Sequence, residues 1–217
     1  LMLLRKWDAL PDKMKCPEVK KYYDILEKKR ISLIAKRLFD VVVASIMLAV
    51  LLPVMLVLGL AIKLDSKGPM LFKQVRVTTY GKEFKILKFR SMVKDADKGS
   101  GQLTTNGDMR VTRVGQFIRH IRLDELPQLV NIITGDMSFV GTRPEVPRYV
   151  DQYEKSMLAT LLLPAGVTSE ASILFKNEYK LLGQAPDVGK AYVEQVLPGK
   201  MYYNLRAIEH FSFWREI

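Results

Sequence analysis

Two adjacent carboxylates, Asp124 and Glu125, are the residues of this chain best suited to chemistry. Arg119 and Arg122 precede them, and Pro127 follows at a position typical of the first turn of a helix. The simplest interpretation is a helix start, in which Asp124 caps the helix and Glu125 complements its dipole. The alternative is that the pair binds a divalent cation and that an ionised Asp124 attacks phosphorus, as in enzymes that form aspartyl phosphates.

A second group of residues could hold phosphate. Arg143 lies between Gly141 and Pro144, and a guanidinium fixed in this way can bind two phosphate oxygens at once. Lys88 and Arg90 add positive charge in a short Lys-Phe-Arg-Ser-Met segment. The simpler alternatives to phosphate binding are that Arg143 lies in an exposed surface turn and that Lys88 and Arg90 form the basic face of a strand. The residues alone leave both alternatives open.

The composition narrows the class of protein. The chain of 217 residues is 48% hydrophobic, which excludes wholesale disorder. Its formal net charge of +11 indicates a polyanionic partner, such as a phosphate-rich substrate, anionic lipid or nucleic acid. The single cysteine, Cys16, excludes an internal disulfide and a multi-cysteine zinc site. The two histidines, His120 and His210, are too far apart in sequence for a local metal motif, so zinc chemistry is not expected.

One segment indicates a membrane protein. Residues 41–62 carry no charge, and a helix of that length reaches roughly 33 Å, which is enough to cross the bilayer core. Pro53, near its middle, removes a backbone hydrogen bond and favours a break. Lysines and arginines flank both ends, and such flanks prefer the cytoplasmic side. We therefore favour a re-entrant helix broken at Pro53 over a helix that spans the membrane.

The N-terminal segment, residues 1–35, is predicted to form a basic amphipathic arm. Between residues 17 and 34, apolar and aromatic side chains recur at roughly helical spacing among lysines and arginines. Such a helix suits an anionic membrane surface. Packing of its apolar face on the rest of the protein explains the pattern equally well.

The remainder, residues 65–217, is predicted to be one cytosolic catalytic domain that follows the membrane segment at residues 36–64. Residues 70–72 and 82–89 resemble two strands of a hairpin, and residues 94–108 have no periodicity, which predicts a loop. Helices are predicted at 114–121, 126–133 and 149–163, the second ended by Gly135. The predicted fold class is α+β, mostly helical with a small β-hairpin. Phe211, Phe213 and Trp214 form a C-terminal aromatic group typical of membrane interfaces.

An ordered series of short motifs resembles one protein family. The series is Lys36-Arg37-x-Phe39-Asp40, the interrupted hydrophobic run, Gly68-Pro69-x-x-Phe72-x-Gln74-x-Arg76, Lys88-Phe-Arg-Ser-Met92, Leu123-Asp-Glu-Leu-Pro-Gln-Leu129, Gly135-Asp-Met-Ser138 and Gly141-x-Arg143-Pro144. In these motifs the chain is similar to the small monotopic polyprenyl-phosphate phosphoglycosyl transferases, the bacterial sugar transferase family. The similarity extends from Lys36 to the C-terminus.

The resemblance implies an activity and a set of site residues. It implies transfer of a phosphosugar from a UDP-sugar to polyprenyl (undecaprenyl) phosphate, with release of UMP, through an aspartyl-phosphosugar intermediate. The family's nucleophile matches Asp124, with Glu125 beside it, and both are expected to bind Mg²⁺. The family's phosphate-binding arginine matches Arg143, and Arg119 matches another family arginine. We assign Arg90 to the substrate phosphate as well.

The resemblance also implies a cellular setting. A re-entrant helix and amphipathic interfacial helices would hold the protein on the cytoplasmic face of the bacterial inner membrane, where it would initiate a glycoconjugate or polysaccharide pathway. The expected partners are a UDP-sugar, polyprenyl phosphate and anionic membrane lipids, without nucleic acid. A homodimer is compatible with this setting.

The chain departs from the family pattern at three places. Thr78 replaces a common glycine, Arg122 replaces a frequent serine, and the usual Pro-Gly-x-Thr-Gly-x-x-Gln segment reads Pro164-Ala-Gly-Val-Thr168-Ser-Glu-Ala-Ser172. The last departure leaves the sugar unassigned. Two competing interpretations are a non-enzymatic, membrane-anchored basic protein that binds anionic lipid or nucleic acid, and a magnesium phosphohydrolase.

Overall fold

The computed structural model describes residues 4–93, 109–178, 182 and 187–216. The helices in these ranges are α1 Pro17–Glu27, α2 Arg30–Asp65, α3 Arg113–His120, α4 Gln128–Thr134, α5 Pro147–Val150, α6 Glu170–Leu174, α7 Val188–Ala191, α8 Leu197–Glu209 and α9 Phe213–Glu216. The strands are β1 Leu71–Val77, β2 Glu83–Phe89, β3 Met137–Val140 and β4 Ala165–Thr168. The predicted loop at 94–108 lies outside the described residues. The mostly helical α+β class is confirmed.

The predicted hairpin is confirmed and consists of β1 and β2. The strands are antiparallel, with Leu71 opposite Phe89 and Val77 opposite Glu83. Residues Thr79–Gly81 form the turn, in which Tyr80 has a φ of 59° and Gly81 a φ of 79°. The left-handed backbone at consecutive turn positions matches the right-handed twist of the two strands.

A second, parallel pair of strands was not predicted. Met137 of β3 lies opposite Ala165 of β4, and Val140 lies opposite Thr168. Each strand has four residues, which is too short for a period of two to be distinguished from chance. This pair places the loop after β3 beside the loop after β4.

The helices around the carboxylate pair agree with their sequence signals. The hydroxyl of Thr112 accepts a hydrogen bond from the Gly115 N–H at 3.0 Å, which caps the start of α3. Gly135, with a φ of 94°, ends α4 in the left-handed conformation. The helix predicted at 149–163 is largely wrong, because only α5 and the 3₁₀ segment Met157–Leu162 are helical there, with a polar stretch between them.

The N-terminal arm packs on the rest of the protein. Val19, Tyr23 and Leu26 of α1 are buried in a core cluster that also contains Leu162 and Phe211. The Tyr23 hydroxyl donates a hydrogen bond to the Arg5 carbonyl at 2.9 Å. Of the two interpretations of this basic amphipathic segment, packing on its own domain is therefore the one that the structure supports for α1.

Helix α2 contains the apolar run and contacts the domain along its length. Near its start, Arg37 donates to the carbonyls of Ile132 and Ile133, at 2.6 and 2.9 Å. Near its end, the Asp65 carboxylate accepts a hydrogen bond from the Val114 N–H at 3.0 Å. The helix is long and apolar enough to cross a membrane. Its other face exposes a row of large apolar side chains, namely Leu38, Val42, Ile46, Val50, Val54, Val57, Leu60 and Leu64.

The predicted break at Pro53 is not observed. The helix continues from Arg30 to Asp65 with Pro53 inside it. Pro53 lies on the exposed side of the helix. A proline removes only one backbone hydrogen bond, and the hydrogen bonds of the adjacent turns keep the helix continuous. The re-entrant topology itself stays a prediction.

We expect both ends of α2 to lie on the cytoplasmic side, because both are bonded to the same domain. The test places single cysteines at exposed Lys28 and exposed Lys67 in a Cys16→Ser background. A membrane-impermeant maleimide should label neither cysteine in intact spheroplasts and both after permeabilisation. Labelling of the residue-28 cysteine alone in intact spheroplasts would show that the helix spans the membrane.

Candidate active site

Asp124 and Glu125 lie in a 3₁₀ turn, Leu123–Glu125, between α3 and α4. Arg122, with a φ of 61°, turns the chain immediately before them. Helix α4 begins only at Gln128, and its N-cap residue is Pro127, which makes no side-chain capping bond. Asp124 therefore does not serve as the helix cap that the simplest interpretation of the sequence predicted.

Three cations surround the carboxylate of Glu125. Its Oε1 lies 2.7 Å from Arg143 Nη2, 3.2 Å from Lys88 Nζ and 3.8 Å from Arg122 Nη1. The side chain is only 11% exposed. Burial raises the pKa of Glu125, but Arg143 and Lys88 outweigh burial and lower it to about 2. Glu125 is thus an ionised acceptor already committed to protein cations.

Asp124 has a different environment although it is the adjacent residue. It is 9% exposed, and within the described ranges its carboxylate has neither a hydrogen bond nor an ion pair. Burial raises the pKa of Asp124 above its ordinary value; Lys88 opposes this rise and Glu125 adds to it. Neighbouring titratable groups whose pKa values are shifted in opposite directions typically have different chemical roles. Asp124 thus differs from Glu125 in both its contacts and the direction of its pKa shift.

Strand β2 and helix α4 hold Lys88 next to Glu125. The buried amide of Asn131 accepts a hydrogen bond from the Leu87 N–H at 2.9 Å and donates one to the Lys85 carbonyl at 3.0 Å. These are the bonds that another strand would make with the free edge of β2. Asn131 of α4 therefore holds β2 in place next to α4, and Lys88 follows directly after the bonded Leu87.

The parallel strand pair positions Arg143. The Gly141 N–H donates a hydrogen bond to the Thr168 carbonyl at 3.0 Å. A Cβ on Gly166 would lie 2.2 Å from the Gly141 carbonyl oxygen, so the two backbone segments approach too closely for a side chain at Gly166. Arg143 Nη1 donates to the Val167 carbonyl at 3.2 Å, which orients its other nitrogen toward Glu125. The half-buried guanidinium retains N–H groups that could bind phosphate.

The other two predicted arginines have different positions. The charge of half-buried Arg119 acts on Asp124 and favours its ionised form, so Arg119 belongs to the site. Arg90 is 5% exposed and donates through Nη2 to the carbonyls of Ile62 and Ser66. A guanidinium held at the end of α2 in this way is not accessible to substrate. The prediction of phosphate binding by Arg90 is not supported.

Sequence reasoning missed Lys88 and Asn131 as site residues. Lys88 was recognised only as one of several basic residues, although a lysine within an apolar strand is a usable signal. Asn131 has no such signal, because its role depends on a strand that lies 44 to 46 positions earlier in the chain.

The donors around the dyad fit a metal ion only when substrate contributes ligands. No group of three or more His, Cys, Asp or Glu side chains in the described ranges could hold a metal. Glu125 Oε1 is occupied by cations, and the ion pairs of the described residues leave Glu125 Oε2 and the Asp124 carboxylate as oxygen donors. Mg²⁺ commonly binds one or two carboxylates together with substrate phosphates and water. The residues fit this arrangement and do not form a metal cage by themselves.

Comparisons with known proteins identify the family. The family model for bacterial sugar transferases matches residues 31–217. The chain therefore belongs to the bacterial sugar transferase family, and the resemblance inferred from the motifs is confirmed.

Several relatives have named activities. The chain is 35% identical over 185 residues to a UDP-N-acetylgalactosamine-undecaprenyl-phosphate N-acetylgalactosaminephosphotransferase of Aeromonas hydrophila. The matched region covers 84% of this chain and 41% of the relative. It is 37% identical over 186 residues to a UDP-glucose:undecaprenyl-phosphate glucose-1-phosphate transferase of Escherichia coli, covering 84% and 38%. It is 42% identical over 135 residues to a putative undecaprenyl-phosphate N-acetylgalactosaminyl 1-phosphate transferase of Bacillus subtilis, covering 62% and 75%. The chain thus spans about two-fifths of the length of the first two relatives.

The lowered pKa of Glu125 predicts a pH-dependent stability. Because the pKa in the folded state, about 2, lies below the ordinary value of 4.5, the stabilisation is complete above pH 4.5 and is lost as the pH falls toward 2. The difference in unfolding free energy between wild type and Glu125→Gln should be about 3 kcal/mol at pH 7 and should shrink across that range.

Denaturant unfolding in detergent at a series of pH values measures this difference. Glu83→Gln, at an exposed position, removes the same charge and should follow wild type. A difference between wild type and Glu125→Gln that stays constant from pH 5 to pH 2 would contradict the proposed ion pairing.

Proposed function

We propose that the protein transfers a phosphosugar from a UDP-sugar to a polyprenyl phosphate, giving a polyprenyl diphosphosugar and UMP. The observation that carries this proposal is a contrast between the two carboxylates. Asp124 is buried without a hydrogen bond or ion pair to the described residues, whereas Glu125 is paired with three cations. The family and the names of the relatives, which act on UDP-sugars and undecaprenyl phosphate, support the same chemistry. A basic protein that only binds anionic lipid or nucleic acid has no need for such a pair of carboxylates.

In the first step, a carboxylate oxygen of Asp124 attacks the β-phosphorus of the UDP-sugar. A bond forms between Asp124 and phosphorus, the bond from phosphorus to the bridging oxygen breaks, and UMP leaves with its electron pair. Burial favours this attack because a poorly solvated carboxylate has little hydration to lose. Arg143 and Lys88, held by Glu125, lie where they can neutralise charge that develops on the phosphate oxygens.

In the second step, a phosphate oxygen of the polyprenyl phosphate attacks the same phosphorus. The bond between Asp124 and phosphorus breaks, the carboxylate is restored, and the polyprenyl diphosphosugar leaves. Arg119 and Arg143 would again offset the charge of two anionic reactants. The covalent intermediate replaces the direct reaction of two anionic substrates with two separate displacement steps.

Mg²⁺ would be held by Asp124 and by diphosphate oxygens of the substrate, and when bound it supplies charge neutralisation. Glu125 contributes indirectly, since it orients the cations on its Oε1. Glu125 Oε2 remains open for direct ligation of Mg²⁺, as the resemblance implies, because the cations contact Oε1.

We also propose that the reaction takes place on the cytoplasmic face of the bacterial inner membrane, at the start of a glycoconjugate or polysaccharide pathway. The exposed apolar face of α2 would contact lipid, and the net charge of +11 would favour anionic headgroups. The phosphate of a polyprenyl phosphate lies in the headgroup plane. A domain bonded to both ends of α2 is well placed to reach it.

Replacement of Asp124 should abolish transfer. With a panel of UDP-sugars and undecaprenyl phosphate, wild type should release UMP and form a lipid-linked phosphosugar. Asp124→Asn should reduce turnover by at least about 10³-fold, because an amide cannot act as the nucleophile. The acidic limb of the wild-type pH–rate profile should lie above the ordinary Asp range, since the reacting carboxylate has a raised pKa.

Asp151→Asn, which makes the same change at an exposed position, should keep wild-type activity. Release of inorganic phosphate instead of UMP would identify a phosphohydrolase. No release of either product by wild type would favour a non-enzymatic protein. Normal turnover by Asp124→Asn would remove the nucleophile assignment.

Removal of divalent cations should stop the reaction. Each pair of like charges at about 4 Å repels by roughly 4 kcal/mol at an effective dielectric constant near 20, which corresponds to about 10³-fold in rate. EDTA should therefore lower the rate by this order, and added Mg²⁺ should restore it, whereas EDTA saturated with Mg²⁺ beforehand should have no effect. Full activity in free EDTA would show that the protein cations alone neutralise the diphosphate.

A further inference from the structure

A cavity of about 170 Å³ lies beside the loop that carries Arg143. Three segments form its walls: the loop after β3, the turn after β4, and helix α8 with the residues that follow it. Its polar lining comes mainly from Thr142, Ser169, Glu170, Tyr203 and Asn204. Apolar side chains, among them Ile208 and Phe211, complete the wall. None of these residues belongs to the carboxylate site described above.

Asn204 is the residue that indicates a ligand. It is 6% exposed, and its one side-chain hydrogen bond with the described residues is to Met201 Sδ at 4.0 Å. A thioether is a weak acceptor, and the amide oxygen of Asn204 has no donor within the same ranges. An amide with so few protein bonds beside a cavity has bonding capacity left for a polar group that enters from outside the protein.

The lining fits an uncharged, hydroxylated ring. The charges of the lining nearly cancel, because Glu216 is paired with Lys36 at 2.9 Å and Glu170 and Arg215 have opposite signs. A lining without net positive charge favours an uncharged ligand over a phosphate. Amide, hydroxyl and carboxylate groups can each bond a sugar hydroxyl, while Tyr203 and Phe211 can pack on the apolar face of a sugar ring. An engineered cavity of about 150 Å³ in another protein holds benzene, so this cavity has room for one six-membered ring.

The position of the cavity relates it to the reacting phosphate. Thr142, in its wall, directly precedes Arg143, whose guanidinium lies 2.7 Å from Glu125 beside the nucleophile. In a UDP-sugar, the sugar is bonded to the β-phosphate that Asp124 attacks. The sugar must therefore lie within a short distance of that phosphate, on a side of the site that offers hydroxyl-binding groups.

We propose that this cavity holds the sugar of the UDP-sugar and that Asn204 and Glu170 select among sugars. This inference rests on the proposed transferase function. Asn204 would bond a sugar hydroxyl or acetamido group in the cavity, and exposed Glu170 would accept a hydrogen bond from a sugar hydroxyl. The nucleotide would bind outside the cavity.

The test measures sugar and nucleotide recognition separately. For wild type, Asn204→Leu and Glu170→Gln, KM and kcat are determined across a panel of UDP-sugars, together with the inhibition constant of UMP, which lacks the sugar. Loss of one hydrogen bond should lower kcat/KM for the preferred sugar about tenfold and change the order of preference. The UMP inhibition constant should stay within about twofold of wild type.

A second test variant and a matched control keep the result interpretable. Glu170→Gln changes an exposed residue without an ion pair in the described ranges, so we expect this variant to fold even if Asn204→Leu is destabilised. Glu154→Gln makes the same change at an exposed position that is not part of the cavity and should leave sugar preference unchanged.

Each other outcome overturns the proposal in a recognisable way. A parallel loss of UMP inhibition would place the uridine in the cavity. An unchanged order of preference in Glu170→Gln and in folded Asn204→Leu would show that the cavity does not bind the sugar, while the transferase function would stand. If wild type releases UMP from none of the UDP-sugars, the transferase function itself fails and the sugar assignment fails with it.

Discussion

The ion pair between Arg143 and Glu125 is the contact on which the rest of the site depends. Three cations lie within 4 Å of one carboxylate oxygen of Glu125, and without that oxygen they would repel one another. The pairing keeps Arg143 and Lys88 together where a diphosphate would need them. It also commits Glu125 Oε1 to protein contacts, whereas Asp124 has no ion pair with the described residues. The two adjacent acids therefore differ in environment and not in residue type, and this difference supports the different roles proposed for them.

Elements from distant parts of the chain build this arrangement. Asn131 bonds the edge of β2 to α4, and the close approach of β3 and β4 fixes the loop of Arg143. At the far end of α4, Arg37 of the membrane helix bonds the last carbonyls, and Asp40 accepts a hydrogen bond from Ser138 at 2.8 Å. The helix that would contact lipid is therefore bonded to the elements behind the dyad.

Local signals in the sequence predicted the local structure well. Turn chemistry and residue periodicity were sufficient for the hairpin, for α3, and for the end of α4 at Gly135. The motifs also located Asp124, Glu125 and Arg143, because those residues occur together in a recognisable order. Pairings over long distances were missed: Lys88 lies 37 positions from Glu125, and nothing near it in sequence predicts that contact. The burial of Arg90 was missed for a related reason, since a strand pattern does not reveal that its guanidinium lies against the end of α2.

The covalent role of Asp124 can be tested most directly by trapping the intermediate. Purified protein is incubated with an isotopically labelled UDP-sugar and Mg²⁺ in the absence of polyprenyl phosphate, then quenched, digested and analysed by mass spectrometry. The account predicts up to one equivalent of UMP and a phosphosugar adduct on the side chain of Asp124, absent from Asp124→Asn. UMP release only after addition of polyprenyl phosphate, with no adduct on any peptide, would show that the acceptor attacks the UDP-sugar directly. An adduct on Glu125 would contradict the division of roles between the two carboxylates.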